Sequence, residues 1–190
     1  MSWVITGNSY YHTDGVRKTC HDVKQNKNQM LRNEAIKKIA GDLISRGIVQ
    51  PGDVLIPAPQ HNGNAEYTKD IANMVSEKTG AVVADVLKCV PHSSLYDQKK
   101  GGEKPRLTLF LDGKIPLGKN LYFIDNVISS GLTFRLANEL LHFRLQPLVY
   151  AVDETKNPDL GKESIRNLLA RKQNHVRGSK PRKRIEHEGR

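Results

Sequence analysis

The sequence is short of several things that would point to whole classes of protein. It has two cysteines, Cys20 and Cys89, one tryptophan, and 6% aromatic residues in 190. Two cysteines cannot build a disulfide framework, and they fit a reduced, cytoplasmic setting. His12, Cys20 and His21 lie close together, but no fourth ligand stands at zinc-site spacing, so no protein metal site is expected. Apolar runs are short as well. None approaches the roughly 20 residues of a membrane helix, and no membrane association is expected. The opening residues, MSWVITGNSYYHTDG, do not set a basic segment before an apolar core as a secretory signal does.

Acidic residues are the minority, 20 Asp and Glu against 30 Lys and Arg, for a net charge of +10. The imbalance is uneven. Residues 171–190 carry eight Lys and Arg against Glu186 and Glu188, a net of +6 that leaves +4 for the rest. That basic tail has too little apolar surface to fold alone. It suits either an arm for nucleic acid or another polyanion, or a solvated terminus.

Along the chain, strand-like and helix-like patterns alternate. Residues 2–16 suggest a β-hairpin, with turns at Gly7-Asn8 and Asp14-Gly15. Leu31, Ala35, Ile36, Ile39, Leu43 and Ile44 give residues 28–46 the spacing of a helix with one buried face. DVLIPAP is a short buried strand, and residues 64–78 return to helical spacing before Gly80. AVVADVLKCV is a second strand. Residues 91–106 form a polar, basic loop, of a length that goes with either a functional role or disorder. LTLFLDG, NLYFID and PLVYAV are further strands; residues 131–145 form a helix, with another over 163–171. The alternation predicts an α/β fold with a doubly wound, mostly parallel sheet. Ligands bind such sheets beyond the carboxyl ends of the strands.

One of those ends carries distinctive chemistry. In LYFIDNVISSGLT, residues 121–133, an apolar strand runs into Asp125, then hydroxyls and a glycine precede a helix. Gly131 permits close backbone approach to a ligand. The N–H groups at the start of the helix favour a phosphate, and Ser129, Ser130 and Thr133 add donors. Asp125 suits sugar hydroxyls or developing positive charge. Together they fit a ligand with a phosphate at one end and a sugar at the other. GEKPRL lacks phosphate-loop spacing and no dinucleotide GxGxxG follows a strand, which argues against a nucleotide kinase or a dinucleotide fold.

This segment resembles the signature of type I phosphoribosyltransferases, which bind 5-phosphoribosyl 1-pyrophosphate (PRPP). Every position but Asn126 fits; the family usually has a second acid there. Uracil phosphoribosyltransferases are similar in keeping one acid, with proline in the second place. DVLIPAPQHNGNAEYTKDIA resembles the strand, pyrophosphate loop and helix that precede the signature, and its wording is closest to the competence-protein ComF branch. The resemblance implies a small N-terminal hood over residues 1–50, of hairpin plus helix, that selects the acceptor. It implies a core over 51–170 and sets the tail of 171–190 apart.

It also implies a reaction: transfer of phosphoribose to a nucleobase or related nitrogen base, with release of pyrophosphate. Asp125, Asn126 and Lys88 would be catalytic. Ser129, Ser130, Gly131, Leu132 and Thr133 would hold the 5-phosphate, and Ala58, Pro59, Gln60 and His61 the pyrophosphate. Tyr96, Lys99 and Lys100 would lie on a mobile loop that closes over the substrate. Magnesium would arrive with PRPP, and a homodimer is the family expectation. Asn126→Asp would be expected to preserve binding and keep or raise turnover. The alternative is a non-catalytic PRPP-binding or nucleic-acid-binding ComF-like module.

Overall fold

The computed structural model describes residues 6–94, 98, 100–102 and 106–156. Its main sheet has five parallel strands in the order β1-β7-β6-β2-β3: β1 Thr6–Ser9, β2 Val54–Pro57, β3 Val82–Val83, β6 Leu121–Ile128 and β7 Leu145–Val152. A separate antiparallel pair joins β4 Leu87–Cys89 to β5 Leu109–Leu111. The described helices are α1 Val16–Gln25, α2 Gln29–Ser45, α3 Tyr67–Thr79 and α4 Leu132–Leu140. The architecture is α/β and doubly wound.

The pleat explains the layering, since successive residues of a strand face opposite sides. Leu55, Tyr122, Ile124, Leu148 and Tyr150 pack with α1, α2 and α3. Their neighbours Val54, Ile56, Leu121, Phe123, Leu145 and Val149 pack with Phe134, Ala137 and Leu141 around α4. Both faces are covered, which is why β2 and β6 are apolar runs rather than alternating ones. In α2 the buried residues Ala35, Ile36, Ile39, Ala40 and Leu43 lie on one stripe. The Asn28 side chain starts this helix by accepting from the N–H groups of Met30 and Leu31. α3 stops at Gly80, whose φ of 73° is left-handed and whose N–H bonds Ser76 O.

Several expectations need correction. Of the hairpin expected over residues 2–16, residues 2–5 lie outside the described residues, and residues 6–16 do not form one. Thr6–Ser9 instead pairs in parallel with β7, Asn8 opposite Ala151 and Ser9 opposite Val152. Gly15 precedes a helix, α1, that buries Val16, Thr19, Cys20 and Val23. The turn signal at Asp14-Gly15 thus opens a helix, and the 16, 19/20, 23 stripe is what commits the segment to it. The strand expected over AVVADVLKCV divides between the two sheets as β3 and β4. β6 runs past Asp125 to Ile128, and the helix after it ends at Leu140, before His142 and Phe143 at positive φ. The helix expected over 163–171 and the basic tail lie outside the described residues.

Residues up to 50 supply the edge strand and two helices to the common core: Val23, Ile39 and Leu43 pack in one cluster with Leu55, Ile71 and Leu148. From β2 the chain passes through α3 to β3 on one side. From β6 it passes through α4 to β7 on the other. Strand order therefore reverses between β2 and β6, and a crevice opens beyond their carboxyl ends. Ile39 is 0% exposed at the centre of the helical layer. Ile39→Ala should cost about 2–5 kcal/mol, read as a lower urea midpoint with an unchanged slope.

Candidate functional site

A cavity of about 550 Å³ lies at that crevice. Pro59, Gln60 and His61 enter it from the end of β2, and Asp125, Val127 and Ile128 from β6. Ser129, Ser130, Gly131, Leu132 and Thr133 form the wall that leads into α4. Gly131 caps this helix at φ 71°. A Cβ there would meet only Ile128 Cγ2, at 3.9 Å, so the left-handed backbone rather than crowding calls for glycine. The first turn of α4 brings peptide N–H groups and the positive dipole end to the cavity.

Asp125 is the carboxylate of the site. Its Oδ1 accepts from the Asn126 N–H at 2.7 Å. Burial pushes its pKa up from the ordinary aspartate value, opposed by the positive charge of Lys24 and the N–H groups of Asn126 and Val127. Lys24 and Gln25, the last residues of α1, also line the cavity.

Asn126 is placed differently from the sequence expectation. It continues the Tyr122 and Ile124 side of β6, is 0% exposed, and is absent from the cavity wall. Its Nδ2 donates to Cys20 O at 3.2 Å, and its Oδ1 accepts from Tyr67 OH at 3.3 Å. Cys20 Sγ contacts Asn126 O in return, at 3.7 Å, and burial pushes this thiol up to about 12. Adjacent strand residues face opposite ways, so one of the pair had to turn inward.

Other expected residues divide between cavity and elsewhere. Lys88 is not on the wall; its Nζ is 2.8 Å from Asp85 Oδ1, while Lys69 holds the other oxygen at 2.9 Å. Ala58 is buried beneath it, its N–H on Ile124 O and its carbonyl on Thr68 Oγ1. Lys100 is exposed and away from the wall. Tyr96 and Lys99 lie outside the described residues. The residues after β7 are tied up elsewhere: Asp153 bonds Thr155 and Lys156, and Glu154 bonds Ser9 and the Tyr10 N–H.

The sequence reading missed Lys24, Gln25 and Tyr67, and did not single out His92, Ser94 or Leu107 at the two ends of the long loop. The spacing of Val16, Cys20 and Val23 was the available signal for α1 and its terminal lysine.

No family model matches the chain, and no curated protein matches it. Among solved structures, a purine phosphoribosyltransferase from Pyrococcus horikoshii Ot3 is similar. The identity is 15%, the TM-score 0.35, and the match covers 64% of this chain and 69% of that one. The fold and the site described above stand on the topology and the cavity themselves.

Two substitutions test the opposed placement of the acid and the amide. Asn126→Asp would bury a charge and set an acceptor against Cys20 O. It should cost about 3–5 kcal/mol in thermal or urea unfolding, the reverse of a tolerated gain of acid. For Asp125 the sign is opposite. Its pKa is raised on folding, so its contribution to stability is present below the unfolded value of about 3.9 and lost as pH rises through the folded value. Asp125→Asn should therefore hold or raise the neutral-pH Tm, by roughly 2–4 °C for each kcal/mol, with the gain shrinking towards pH 4. A Tm that falls at neutral pH would place the carboxylate among the structural groups.

Proposed function

We propose that the protein is a phosphoribosyltransferase that uses magnesium-PRPP to place phosphoribose on a nitrogen base. The observation that carries this reading is a single cavity, at the reversal of strand order, which holds both Asp125 and the Ser129–Thr133 cradle. Neutral hydroxyls and helix N–H groups suit a phosphate monoester. A lone carboxylate close by would repel that phosphate unless the ligand presents hydroxyls at the same point, as a ribose does.

In this reading the α4 cradle takes the 5-phosphate, and Asp125 accepts from a ribose hydroxyl and stabilises positive charge as the ring approaches an oxocarbenium ion. Pro59, Gln60 and His61 border the pyrophosphate. Magnesium enters with the substrate, held mainly by ligand oxygens; the one carboxylate on the described wall suits that. His92, Ser94 and Leu107 bring both ends of the long loop to the cavity, where closure would exclude competing water.

A second reading, a PRPP-binding module without transfer, is favoured by one observation: Asn126 leaves the cavity with a single acid of the usual pair. Such a module working through nucleic acid would use the basic tail, and truncation at Arg171 should then abolish most salt-sensitive nucleic-acid binding.

Calorimetric titration with magnesium-PRPP, with ribose 5-phosphate alongside, tests the proposal. Both ligands should bind, and Asp125→Ala and Gly131→Val should each weaken PRPP about tenfold or more. Pyrophosphate release with an acceptor base separates the enzyme from the module. No binding at millimolar ligand refutes both.

A further inference from the structure

Three of the four residues expected at the diphosphate end of the proposed substrate offer it little, leaving His61 on the wall. The Ala58 N–H is spent on Ile124 O and the Gln60 N–H on Asn64 O, each at 2.9 Å, and Pro59 has none. The cation expected there, Lys88, is bound to Asp85 outside the cavity. A diphosphate is the most highly charged part of such a ligand, and magnesium neutralises only part of it. A cation on the wall would offset the rest.

The structure supplies one from an unexpected place. Among the described residues that line the cavity, Lys24 is the only lysine or arginine. It is exposed and makes no ion pair with a described residue, and it acts on Asp125 through its field. Its backbone is nonetheless fixed. One turn earlier, Cys20 is clasped to Asn126 through its carbonyl and its thiol, and Val23 beside it is 0% exposed. A free ammonium on an anchored helix end, in the same cavity as Pro59 to His61, is placed to meet an anion.

We propose that Lys24 binds the diphosphate and stabilises it as the leaving group. The assignment rests on the phosphoribosyltransferase reading above. When the C1–O bond breaks, its electron pair leaves on the diphosphate, where the ammonium offsets the growing charge. The acceptor's nitrogen lone pair forms the C1–N bond, and its proton passes to water. Asn126 is then a positioning residue, because it holds the helix that carries Lys24.

The test compares wild type with Lys24→Gln and Lys24→Arg, titrated with magnesium-PRPP, magnesium-pyrophosphate and ribose 5-phosphate. Lys24 is exposed, so thermal melts should show all three equally folded. Lys24→Gln should bind PRPP and pyrophosphate about tenfold to a hundredfold more weakly, and ribose 5-phosphate within about threefold of wild type. Lys24→Arg should recover most of the loss. Equal losses for all three ligands, or none for any, would overturn the assignment while the parent reading stands. A change confined to the KM of an acceptor base would overturn it too, since Lys24 would then read the acceptor. If wild type binds neither PRPP nor ribose 5-phosphate, both readings fall together.

Discussion

Register in β6, set by parallel pairing with β2 on one side and β7 on the other, decides which way each of its residues faces. Phe123 opposite Ile56 and Asp125 opposite Val149 fix that register along most of the strand. Because side chains alternate, the same register that turns Asp125 to the cavity turns Asn126 into the helical layer. A slip of one residue would exchange them, burying a carboxylate among Tyr67 and Cys20. The amide is therefore matched to its place: it is neutral, and it offers both a donor to Cys20 O and an acceptor to Tyr67 OH. Through those two bonds it ties α1 and α3 to the strand that bears the carboxylate. A residue that looks like a weakened acid in the sequence is a fastening between three elements.

Two carboxylates in this fold differ in what surrounds them, and the difference separates structure from function. Asp53 is 0% exposed, and protein donors surround it: the Gln50 N–H at 2.8 Å and Asn120 Nδ2 at 2.8 Å. Its work is to close the turn before β2. Asp125 is only half-buried and opens on a cavity, and burial still holds its pKa up despite the N–H groups and Lys24 nearby. A carboxylate with acceptor capacity to spare, facing a space large enough for a sugar phosphate, is an incomplete interaction. Ligand hydroxyls would complete it.

What was legible in the sequence follows from how far apart the cooperating residues lie. The strand, carboxylate, glycine and helix start of residues 121–133 are contiguous, so local chemistry exposed them, and the structure brings Asp125 and Ser129–Thr133 to one cavity. The stripes of α2 and α3 and the apolar run of β2 were readable for the same reason. The parallel partner of Thr6–Ser9 was not, because it lies in β7 and nothing local distinguishes a hairpin strand from an edge strand. The division of residues 81–90 between two sheets depends on pairing with β2 and with β5, again decided at a distance. Lys88 stands off the cavity wall, paired with its near neighbour Asp85, a contact its place at a strand end did not announce.

Distance also explains why part of the cavity wall came from an unread part of the chain. Cys20 and Asn126 are 106 residues apart, yet their contact places the end of α1 beside the end of β6. A motif scan sees the β6–α4 half, whose chemistry is written in order. It cannot see that the β2 loop has spent its Ala58 and Gln60 N–H groups within the fold, or that a helix from the first 25 residues brings an ammonium to the same space. In the proposed reaction the two sides would meet an anion differently. The α4 side would use fixed dipoles and hydroxyls, which suit a phosphate that stays bound throughout. The α1 side would use a flexible side chain on a fixed base, which suits a group that must be held tightly during bond breaking and then let go.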